Sequence, residues 1–560
     1  MKFESITALD LPVHQAKSLA FEMWPYLISL LFLSPSLYWI AQDHSVWPWD
    51  QAWYGQVSAD LWFTLVNSPA EWLPAMWKAF GSKAPGIAWV GQWFVPIGRN
   101  LGSIESGLLL SILVVQFGSV VLIYKLGKEF LTHAEFAFLG CLMLLSAPLF
   151  VGMSHQYLTE PLQLFAVTYL YWIAARARFW RGSQITGHLV LASGLGLASK
   201  VTFPLYCFIP GCIALYEARK GKEPAKPHTS PYSWTLVLLA LAGIAVLGNV
   251  LLWYVKNGRT LIGFVKLASS SDIALYYGSS GNFLYKVQYW IGALQKSLAM
   301  PSVLLGVSIV FLIATGIRFA NTERCRPLPC TRLTLLAAGA FVHVILVLTT
   351  FALNVNEESR YLLPLLPSVV VMFLWCVAFV QMRSVLVLTA LLFIGQWAYV
   401  ESRAFGFVPP NDGMSHWVLP VQTNKGKMDE LSRIVQLTCT PENTKGYSVA
   451  GIELPWLNAN SLSFYASKWK LDSKLPCYFT SLGYAEKDPD RAWKRVNNLN
   501  IEYFISLEET ALPQLPNILN EVSLPVLKRI QADHRFTQLP YDSKYHVVIF
   551  ENSDNTESTR

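Results

Sequence analysis

The chain has 560 residues, of which 53% are hydrophobic and 14% are charged, and its mean hydropathy is +0.36. Soluble domains carry roughly 25% charged residues, so this composition excludes an ordinary soluble protein and predicts an integral membrane protein. The net charge of +7 comes from short basic clusters between apolar runs, where orientation in a bilayer explains it, and no nucleic-acid partner is indicated.

About eleven apolar runs are predicted to cross the membrane as helices. The first follows an N-terminus with neither a strongly basic region nor a cleavage site, so we expect it to remain in the protein. The region from His188 to Tyr216 can be one long helix or two short ones broken near Gly194, Lys200 and Pro204. The other predicted spans are Trp24 to Ile40, Gly107 to Tyr124, Ala134 to Met153, Pro161 to Ala175, Trp234 to Val255, Ser302 to Ile317, Leu333 to Leu353, Tyr361 to Val380 and Val385 to Val400.

The basic loops decide between one and two passes in the ambiguous region. Two passes place every basic loop on one side of the membrane, whereas one pass sends the later loops to the other side, against the positive-inside rule. We therefore predict two passes, a cytoplasmic N-terminus and a multi-pass protein of a plasma or inner membrane. Cys325 and Cys330 lie in a basic loop that this topology places in the cytoplasm.

The first predicted outer loop, residues 41 to 106, is long and rich in tryptophan. It begins with Trp47 to Gly55, WPWDQAWYG, in which Asp50 is surrounded by aromatic residues. Ala70 to Phe80 has apolar residues at a helical spacing and is predicted to lie flat in the interface.

The composition becomes polar after residue 400, which predicts two domains, a transmembrane domain over residues 1–400 and an extracytoplasmic α/β domain over residues 401–560. Cys439 and Cys477 are candidates for a disulfide in the oxidising outer compartment. The predicted helices are Met428 to Gln436, Ser461 to Trp469 and Asp488 to Val496, and the predicted strands are Tyr447 to Ile452, Cys477 to Ser481, Ile501 to Leu507 and Tyr545 to Glu551.

Ionisable residues that border the apolar runs fall on the outer face in this topology. Charges near hydrocarbon are costly unless they are paired or hydrated, so a set gathered on one face is a candidate functional site. The set consists of Asp50, Lys83, Glu160, Lys200, Glu358 and Arg360.

Five segments that carry these residues resemble motifs of integral-membrane glycosyltransferases of the GT-C type, which include protein O-mannosyltransferases and aminoarabinose transferases of lipid A. Asp50 to Tyr54 resembles their Asp-Glu-x-x-Tyr stretch, and Gly81 to Gly86 resembles their Lys-Pro-Pro segment. The others are a short acidic motif at Tyr157 to Pro161, a Gly-Leu-rich helix ending in Lys at Gly194 to Lys200, and an Arg-Tyr-Leu-Leu-Pro turn within Glu358 to Pro367. The five occur in family order over roughly the first 400 residues.

The resemblance implies transfer of a sugar, a hexose or a pentose, from a polyprenyl-phosphate donor to a protein, lipid or polysaccharide acceptor on the outer face, with inversion. Asp50 is then the general base, while Trp53, Tyr54, Glu160 and Glu358 contact the substrate. Trp47 and Trp49 are expected to extend an aromatic wall around the sugar. The donor phosphate needs cations, for which Lys83, Lys200 and Arg360 are the candidates.

Two departures from the family pattern bear on cofactors. Gln51 stands where an acidic partner of Asp50 is expected, and Ala84 stands where the first proline after Lys83 is expected. The sequence therefore predicts no cofactor and does not support a divalent metal held by paired carboxylates.

Other interpretations remain open at this point. Asp50 can cap a helix, and Lys83 and Lys200 can be interfacial anchors. The negative charge of Glu160 can be favoured by the dipole of the helix that it begins. Arg360 can pair with Glu358 to fix a turn. A transporter of polyprenyl-linked glycans would favour internal repeats and charges at the middle of the membrane, and neither is visible. A non-catalytic scaffold that binds a partner through its outer domain would leave the outer-face charges without a common role.

Overall fold

The computed structural model describes residues 13–220, 234–270, 272–320, 330–409, 414–441, 446–499, 501–512 and 518–553. The basic residues Lys222, Lys226, Arg324 and Arg326, and Cys325 with its predicted cytoplasmic position, lie outside these ranges.

The described residues before residue 405 are mainly helical. They are α1 (Val13–Gln42), α2 (Trp49–Asn67), α3 (Pro69–Lys78), α4 (Gly86–Gly91), α5 (Val95–Asn100), α6 (Ile104–Lys128), α7 (Ala134–Ser146), α8 (Pro148–Ser154), α9 (Glu160–Arg176), α10 (Gly182–Ser199), α11 (Phe203–Arg219), α12 (Trp234–Ser270), α13 (Asp272–Tyr276), α14 (Phe283–Leu298), α15 (Pro301–Ala320), α16 (Thr331–Ala352), α17 (Leu366–Val380) and α18 (Arg383–Ala404). Short 3-10 helices occur at Gln92–Phe94, Ala177–Phe179 and Ser359–Leu365.

Seven helical stretches of the described residues are long and apolar enough to cross a membrane, so the protein is a polytopic membrane protein. The predicted span from Ala134 to Met153 is broken between α7 and α8, whose axes differ by 63°, and this pair gives an eighth crossing if it is counted as one. The crossing stretches are Met23–Gln42, Ile104–Lys128, Val237–Ser269, Pro301–Ala320, Thr331–Ala352, Ser359–Val380 and Arg383–Ala404.

The ambiguous region forms two helices, α10 and α11, as predicted. The chain breaks at Lys200, which has an extended backbone conformation, and Pro204 lies in the first turn of α11. With α9, these helices have 17 to 18 residues each, or about 26 Å at 1.5 Å per residue, slightly less than the hydrocarbon thickness. The count of eleven crossings therefore stays a prediction.

The predicted interfacial segment in the first outer loop is helical and corresponds to α3. In contrast, α12 is longer than its predicted span, because it continues without a break from Trp234 to Ser270.

The C-terminal part contains a five-stranded sheet with helices, in agreement with the predicted α/β character. Its elements are α19 (Lys425–Thr438), β1 (Tyr447–Ala450), α20 (Ala459–Ser473), β2 (Tyr478–Ser481), α21 (Pro489–Asn498), β3 (Ile501–Leu507), α22 (Ser523–Ala532), β4 (Phe536–Gln538) and β5 (Val547–Asn552). The strand order is β2-β1-β3-β5-β4, in which β1 pairs in parallel with β2 and β3, and β5 pairs in antiparallel fashion with β3 and β4. The helix α22 and the strand β4 were not predicted.

The predicted disulfide is present. Cys439, directly after α19, is bonded to Cys477, directly before β2, and their Cα atoms are 5.5 Å apart. The bond therefore ties the first helix of the C-terminal part to an edge strand of its sheet.

The C-terminal part packs on the first outer loop, chiefly through α20 against α2. The Trp47 ring stacks between Tyr157 and Phe464, with centroid distances of 5.5 and 5.3 Å. The Ser461 hydroxyl donates a hydrogen bond to the Trp47 carbonyl oxygen at 3.0 Å. Three ion pairs join the two parts: Glu105–Lys468, Asp60–Lys470 and Arg99–Asp472.

Candidate active site

The first turn of α2 presents Asp50 at the surface between the helices and the C-terminal part. Pro48, in an extended conformation, precedes the helix, and Asp50 lies where a negative charge is favoured by the helix dipole. The helix start is fixed because Trp47, two residues earlier, is 2% exposed. Packing around Trp47 thus holds the carboxylate in place.

The loop before α4 brings Lys83 to Asp50. Phe80 and Gly81 both have positive φ angles, of 61° and 67°, which turn the chain sharply after α3. A Cβ atom on Gly86 would lie 2.7 Å from the Ala198 carbonyl oxygen, so the loop can approach α10 this closely only because residue 86 is glycine. The Lys83 ammonium forms an ion pair with Asp50 and lies 5.0 Å from the Trp53 ring centroid.

Glu160 and Lys200 meet because α9 begins where α10 ends. The Lys200 ammonium donates a hydrogen bond of 2.7 Å to Glu160 Oε1, and it lies 3.7 Å from the centroid of the Tyr361 ring. The Tyr206 hydroxyl, from α11, donates to the Tyr361 carbonyl oxygen and so fixes the turn that carries this ring.

Arg360 connects all three carboxylates of the set. Its Nη2 is 3.5 Å from Asp50 Oδ2, and its Nε is 3.4 Å from Glu160 Oε1 and 3.3 Å from Glu358 Oε2. None of these contacts gives Nε a hydrogen bond of normal geometry with a described residue. The guanidinium is therefore held by charge in the centre of the cluster, where its buried Nε–H has no hydrogen-bond acceptor among the described residues.

The six side chains differ in their access to solvent. The Glu160 side chain is 2% exposed, those of Lys83 and Arg360 are 14% and 15% exposed, and that of Asp50 is 34% exposed. Glu160 is thus a buried anchor for two cations, whereas Asp50 is open to a substrate.

Electrostatics keep Asp50 ionised. Burial raises the pKa of the Asp50 carboxyl, but Lys83 and Arg360 outweigh this effect and lower the pKa to about 2. The opposite holds for Glu358, where burial raises the pKa of the carboxyl more than Arg360 lowers it. Burial also lowers the pKa of the Lys83 ammonium, although Asp50 opposes the shift. The cluster thus contains carboxyls of different acidity around one guanidinium.

The aromatic wall expected from the sequence is only partly present. The prediction that Trp47 stacks on the sugar is wrong, because Tyr157 and Phe464 cover both faces of its ring. Trp53 and Tyr54 pack edge-on against Phe80 and flank the Lys83 ammonium. These two rings therefore lie beside the Lys83 ammonium, one of the three cations of the site.

The Gln51 side chain takes no part in the ion pairs of Asp50 with Lys83 and Arg360. Its side-chain amide is buried and donates a hydrogen bond to Gln156, in the turn before α9. Within the described residues, no group of three or more His, Cys, Asp or Glu side chains is arranged to hold a metal ion. The carboxylates of the cluster contact cationic side chains, so this residue set does not fit a divalent metal.

Sequence reasoning missed the C-terminal residues beside the cluster. Trp49, adjacent to Asp50, donates a hydrogen bond from its indole nitrogen to Glu453 Oε2 at 3.1 Å. Burial raises the pKa of the Tyr277 and Tyr484 hydroxyls, and the charge of Asp50 adds to both shifts. One signal was available: Glu453 follows β1, and acidic residues after the carboxyl end of a parallel strand often line a site.

The overall fold is similar to that of two solved structures. ArnT from Cupriavidus metallidurans in the apo state has a similar structure, with a TM-score of 0.56 and 12% sequence identity over 96% of this chain and 99% of that chain. The structure of the same protein bound to undecaprenyl phosphate is similar too, with a TM-score of 0.52 and 12% identity over 93% of this chain and 97% of that chain.

At this identity the similarity shows the fold alone, and that fold agrees with the GT-C resemblance of the motifs. No protein-family model matches the sequence, and no curated protein matches it at a significant level.

Proposed function

We propose that this protein is a glycosyltransferase that moves a sugar from a polyprenyl-phosphate donor to an acceptor on the outer face of the membrane. The observation that carries the proposal is a single cluster in which Lys83 and Arg360 pair with the half-buried carboxylate of Asp50 and Lys200 pairs with Glu160. A sugar linked to a lipid phosphate needs such a set, because its leaving group is an anion and its acceptor must lose a proton.

The donor phosphate is assigned to the cations. Arg360 has an Nε–H that makes no hydrogen bond with a described residue, and guanidinium groups bind phosphate through parallel hydrogen bonds. Lys83 and Lys200 add charge from either side. A solved structure of ArnT, which shares this fold, is bound to undecaprenyl phosphate, and this supports a phosphate-carrying lipid as the ligand.

Binding of the phosphate activates the base. In the resting cluster the contacts to Lys83 and Arg360 make Asp50 a weak base, with a pKa of about 2. A phosphate that draws these two cations away raises the pKa of the carboxylate, since the charges that stabilised its ionised form now stabilise the phosphate. Asp50 therefore becomes a competent base only when the donor is in place.

The reaction follows from this geometry. Asp50 takes the proton of an acceptor hydroxyl, the acceptor oxygen forms a bond to the anomeric carbon, and the bond from that carbon to the phosphate oxygen breaks. The electron pair leaves with the carrier phosphate, whose charge Lys83, Lys200 and Arg360 stabilise. Attack opposite the leaving group inverts the anomeric centre. Trp53, Tyr54 and Glu358 are assigned to substrate binding around the reacting atoms. Glu160, which the sequence also placed among the substrate contacts, is buried and is assigned to holding Lys200 and Arg360.

The proposed topology rests on the basic loops. With these loops in the cytoplasm, the N-terminus is cytoplasmic, and the cluster, residues 401–560 and the first outer loop lie on the extracytoplasmic side. Residues 1–400 are then the catalytic transmembrane domain. The transferred sugar is a hexose or a pentose, and the acceptor is a protein, a lipid or an envelope polysaccharide.

The test is to incubate the purified full-length protein with a panel of polyprenyl-phosphate hexoses and pentoses and to measure release of the carrier phosphate. We expect release from at least one donor in the presence of membranes that supply acceptors. Absence of release from every donor, from protein that binds undecaprenyl phosphate and is folded, would contradict the proposal.

A further inference from the structure

A cavity of about 460 Å³ lies where the first outer loop meets the C-terminal part, and no residue of the Asp50 cluster lines it. Its walls come from the loop after α1, the junction of α5 and α6, and the helices α19 and α20. Its charged lining residues are Asp43, Arg99, Glu105, Lys468 and Asp472. Small-molecule sites usually have volumes of about 300 to 1,000 Å³, so the cavity is large enough to hold a ligand.

Four of these five charges are paired with one another. Lys468 pairs with Glu105 at 2.6 Å, and Arg99 pairs with Asp472 at 2.7 Å. Asp43 has no cationic partner within the part of the chain that the structure describes. The cavity therefore carries one negative charge that the protein does not compensate.

The Asp43 carboxylate is held in place by its own loop and keeps room for a ligand. Its Oδ1 accepts the Ser45 backbone N–H at 3.0 Å, and its Oδ2 accepts the Ser45 hydroxyl at 2.9 Å. A carboxylate accepts about four hydrogen bonds, so each oxygen can accept another. Burial raises the pKa of the Asp43 carboxyl to about 6, Glu105 adds to the shift, and the Ser45 bonds oppose it. A cation at Asp43 would offset the cost of burying this charge.

The chemistry of the lining favours an organic ammonium over a metal ion at Asp43. Calcium and magnesium need several oxygen ligands. No group of three or more His, Cys, Asp or Glu side chains among the described residues is arranged to hold a metal. A primary ammonium donates up to three hydrogen bonds and needs only one carboxylate.

The cavity lies at the depth of the lipid headgroups. Asp43 directly follows the crossing stretch Met23–Gln42, and another lining residue, Ser103, directly precedes the crossing stretch Ile104–Lys128. The ends of such stretches mark the surface of the hydrocarbon. Leu101, two residues before Ser103, is 64% exposed, and an acyl chain beside the cavity would cover it. A ligand can therefore reach the cavity from the membrane surface.

We propose that this cavity binds the headgroup of an aminophospholipid, with the ammonium at Asp43 and the phosphate at Arg99. The side chains of Arg99 and Asp472 are 45% and 71% exposed, and such an exposed pair contributes little, so Arg99 can turn to a phosphate at small cost. The headgroup would contact the outer loop and α20 together and so stabilise their packing. This lipid site is separate from the glycosyltransferase site and does not depend on the function assigned to it.

The experiment measures thermal unfolding of the purified full-length protein in detergent while one lipid is titrated. The three lipids have the same acyl chains and carry phosphoethanolamine, phosphocholine or phosphoglycerol. Phosphocholine keeps the positive charge but has no N–H to donate, and phosphoglycerol has no cation. Free phosphoethanolamine is titrated separately, to distinguish a lipid from a soluble amine.

The variants are Asp43→Asn and, as the matched control, Glu71→Gln. Both replace a carboxylate by its amide in the first outer loop. Glu71 is an exposed residue in the first turn of α3 and does not line the cavity.

We expect the phosphoethanolamine lipid to raise the unfolding temperature of the wild type, with an affinity about tenfold higher than that of the other two lipids, because it alone donates charged hydrogen bonds to Asp43. Asp43→Asn should lower this affinity to that of the phosphocholine lipid and leave binding of undecaprenyl phosphate unchanged. Glu71→Gln should match the wild type. Free phosphoethanolamine should bind more weakly than the lipid, because it lacks the acyl chains that hold the headgroup at the surface.

Equal affinities of the wild type for the phosphoethanolamine and phosphocholine lipids overturn the proposal, and so does an unchanged affinity in a folded Asp43→Asn variant. Free phosphoethanolamine that binds as tightly as the lipid assigns the cavity to a soluble amine instead. The comparison of headgroups uses the wild type alone, so it decides the question even if Asp43→Asn is poorly folded. A wild type that releases no carrier phosphate contradicts the glycosyltransferase function and leaves this inference standing.

Discussion

Two sets of charges include residues of the first outer loop, and they are built differently. Where the C-terminal domain docks, each acid meets one cation: Glu105 with Lys468 at 2.6 Å, Asp60 with Lys470 at 3.1 Å and Arg99 with Asp472 at 2.7 Å. In the candidate site the charges are shared, since Arg360 lies 3.3 to 3.5 Å from three carboxylates.

The difference separates a structural contact from a binding site. A one-to-one pair at hydrogen-bond distance is satisfied, and any third group must break it. The Arg360 guanidinium is shared among carboxylates, and its Nε makes no hydrogen bond with a described residue. It can therefore bind a phosphate while losing few existing hydrogen bonds. We infer that shared and incomplete pairing marks the site, whereas complete pairing marks the domain interface, and substitutions can test this distinction.

The largest effect is expected for Asp50→Asn. The amide keeps the shape of the carboxylate but cannot take a proton, so transfer should fall by about 10³-fold, within the range that general-base catalysis supplies. Carrier-phosphate release is the measurement. Affinity for undecaprenyl phosphate should not fall, because Lys83 and Arg360 lose a competing anion.

Asp60→Asn is the matched control, since Asp60 lies on the same helix and pairs with Lys470. It should retain transfer within a few fold of the wild type. Turnover by Asp50→Asn at the level of this control would remove Asp50 as the base.

Arg360→Lys should have a smaller effect, mainly on donor binding. Lysine keeps the charge but not the planar fork, so the loss of charged hydrogen bonds to phosphate should weaken undecaprenyl-phosphate binding by about 10- to 100-fold. The affinity is measured by titration of the purified protein. The control is Arg99→Lys, which changes the same residue type in an ion pair to the C-terminal part and should leave the affinity unchanged. Equal affinities for the two variants would show that Arg360 only fixes the turn.

Lys468→Met should affect stability and leave the site unaltered. The side chain of its partner Glu105 is 9% exposed, and removal of the cation leaves that carboxylate without its ion pair. We expect a loss of about 2 kcal/mol in the free energy of unfolding, between the values for exposed and buried pairs. Thermal unfolding measures the loss, and undecaprenyl-phosphate affinity should stay constant. Weaker binding by a variant of normal stability would contradict the structural role of this pair.

Sequence reasoning found the cluster because each of its charges borders an apolar run. The ends of such runs are visible in the sequence, and the basic loops then place Lys200 on the same face as Asp50 and Arg360. The break of the His188 to Tyr216 region into α10 and α11 follows from the same reasoning and from Pro204.

The remaining features depend on contacts between distant residues. Trp47 was assigned to the sugar wall because the sequence does not show that Phe464 covers its ring. Glu453 was missed because its bond to Trp49 joins residues 404 positions apart. The three-residue strand β4 has two exposed residues and forms only by pairing with β5, so no local pattern predicts it.

The smallest effect is expected for Glu453→Gln, in the pH dependence of its stability. This variant compares Glu453, which pairs with no cation of the described residues, with the carboxylates that do, such as Asp50. The folded pKa of Glu453 is raised from 4.5 to about 7, so the folded protein holds this proton more tightly than the unfolded chain does. Stability from this group is complete below pH 4.5 and is lost as the pH rises to 7. Because the side chain is partly exposed, we expect the variant to be more stable than the wild type by about 1 kcal/mol at pH 8 and equally stable at pH 4. Thermal unfolding at the two pH values measures the difference.

Asp50→Asn should show the opposite sign, since the folded pKa of Asp50 lies below its ordinary value and its contribution is present at pH 8. The same sign for both variants would mean that Glu453 is held by a cation, and the contrast between the two carboxyls would not stand.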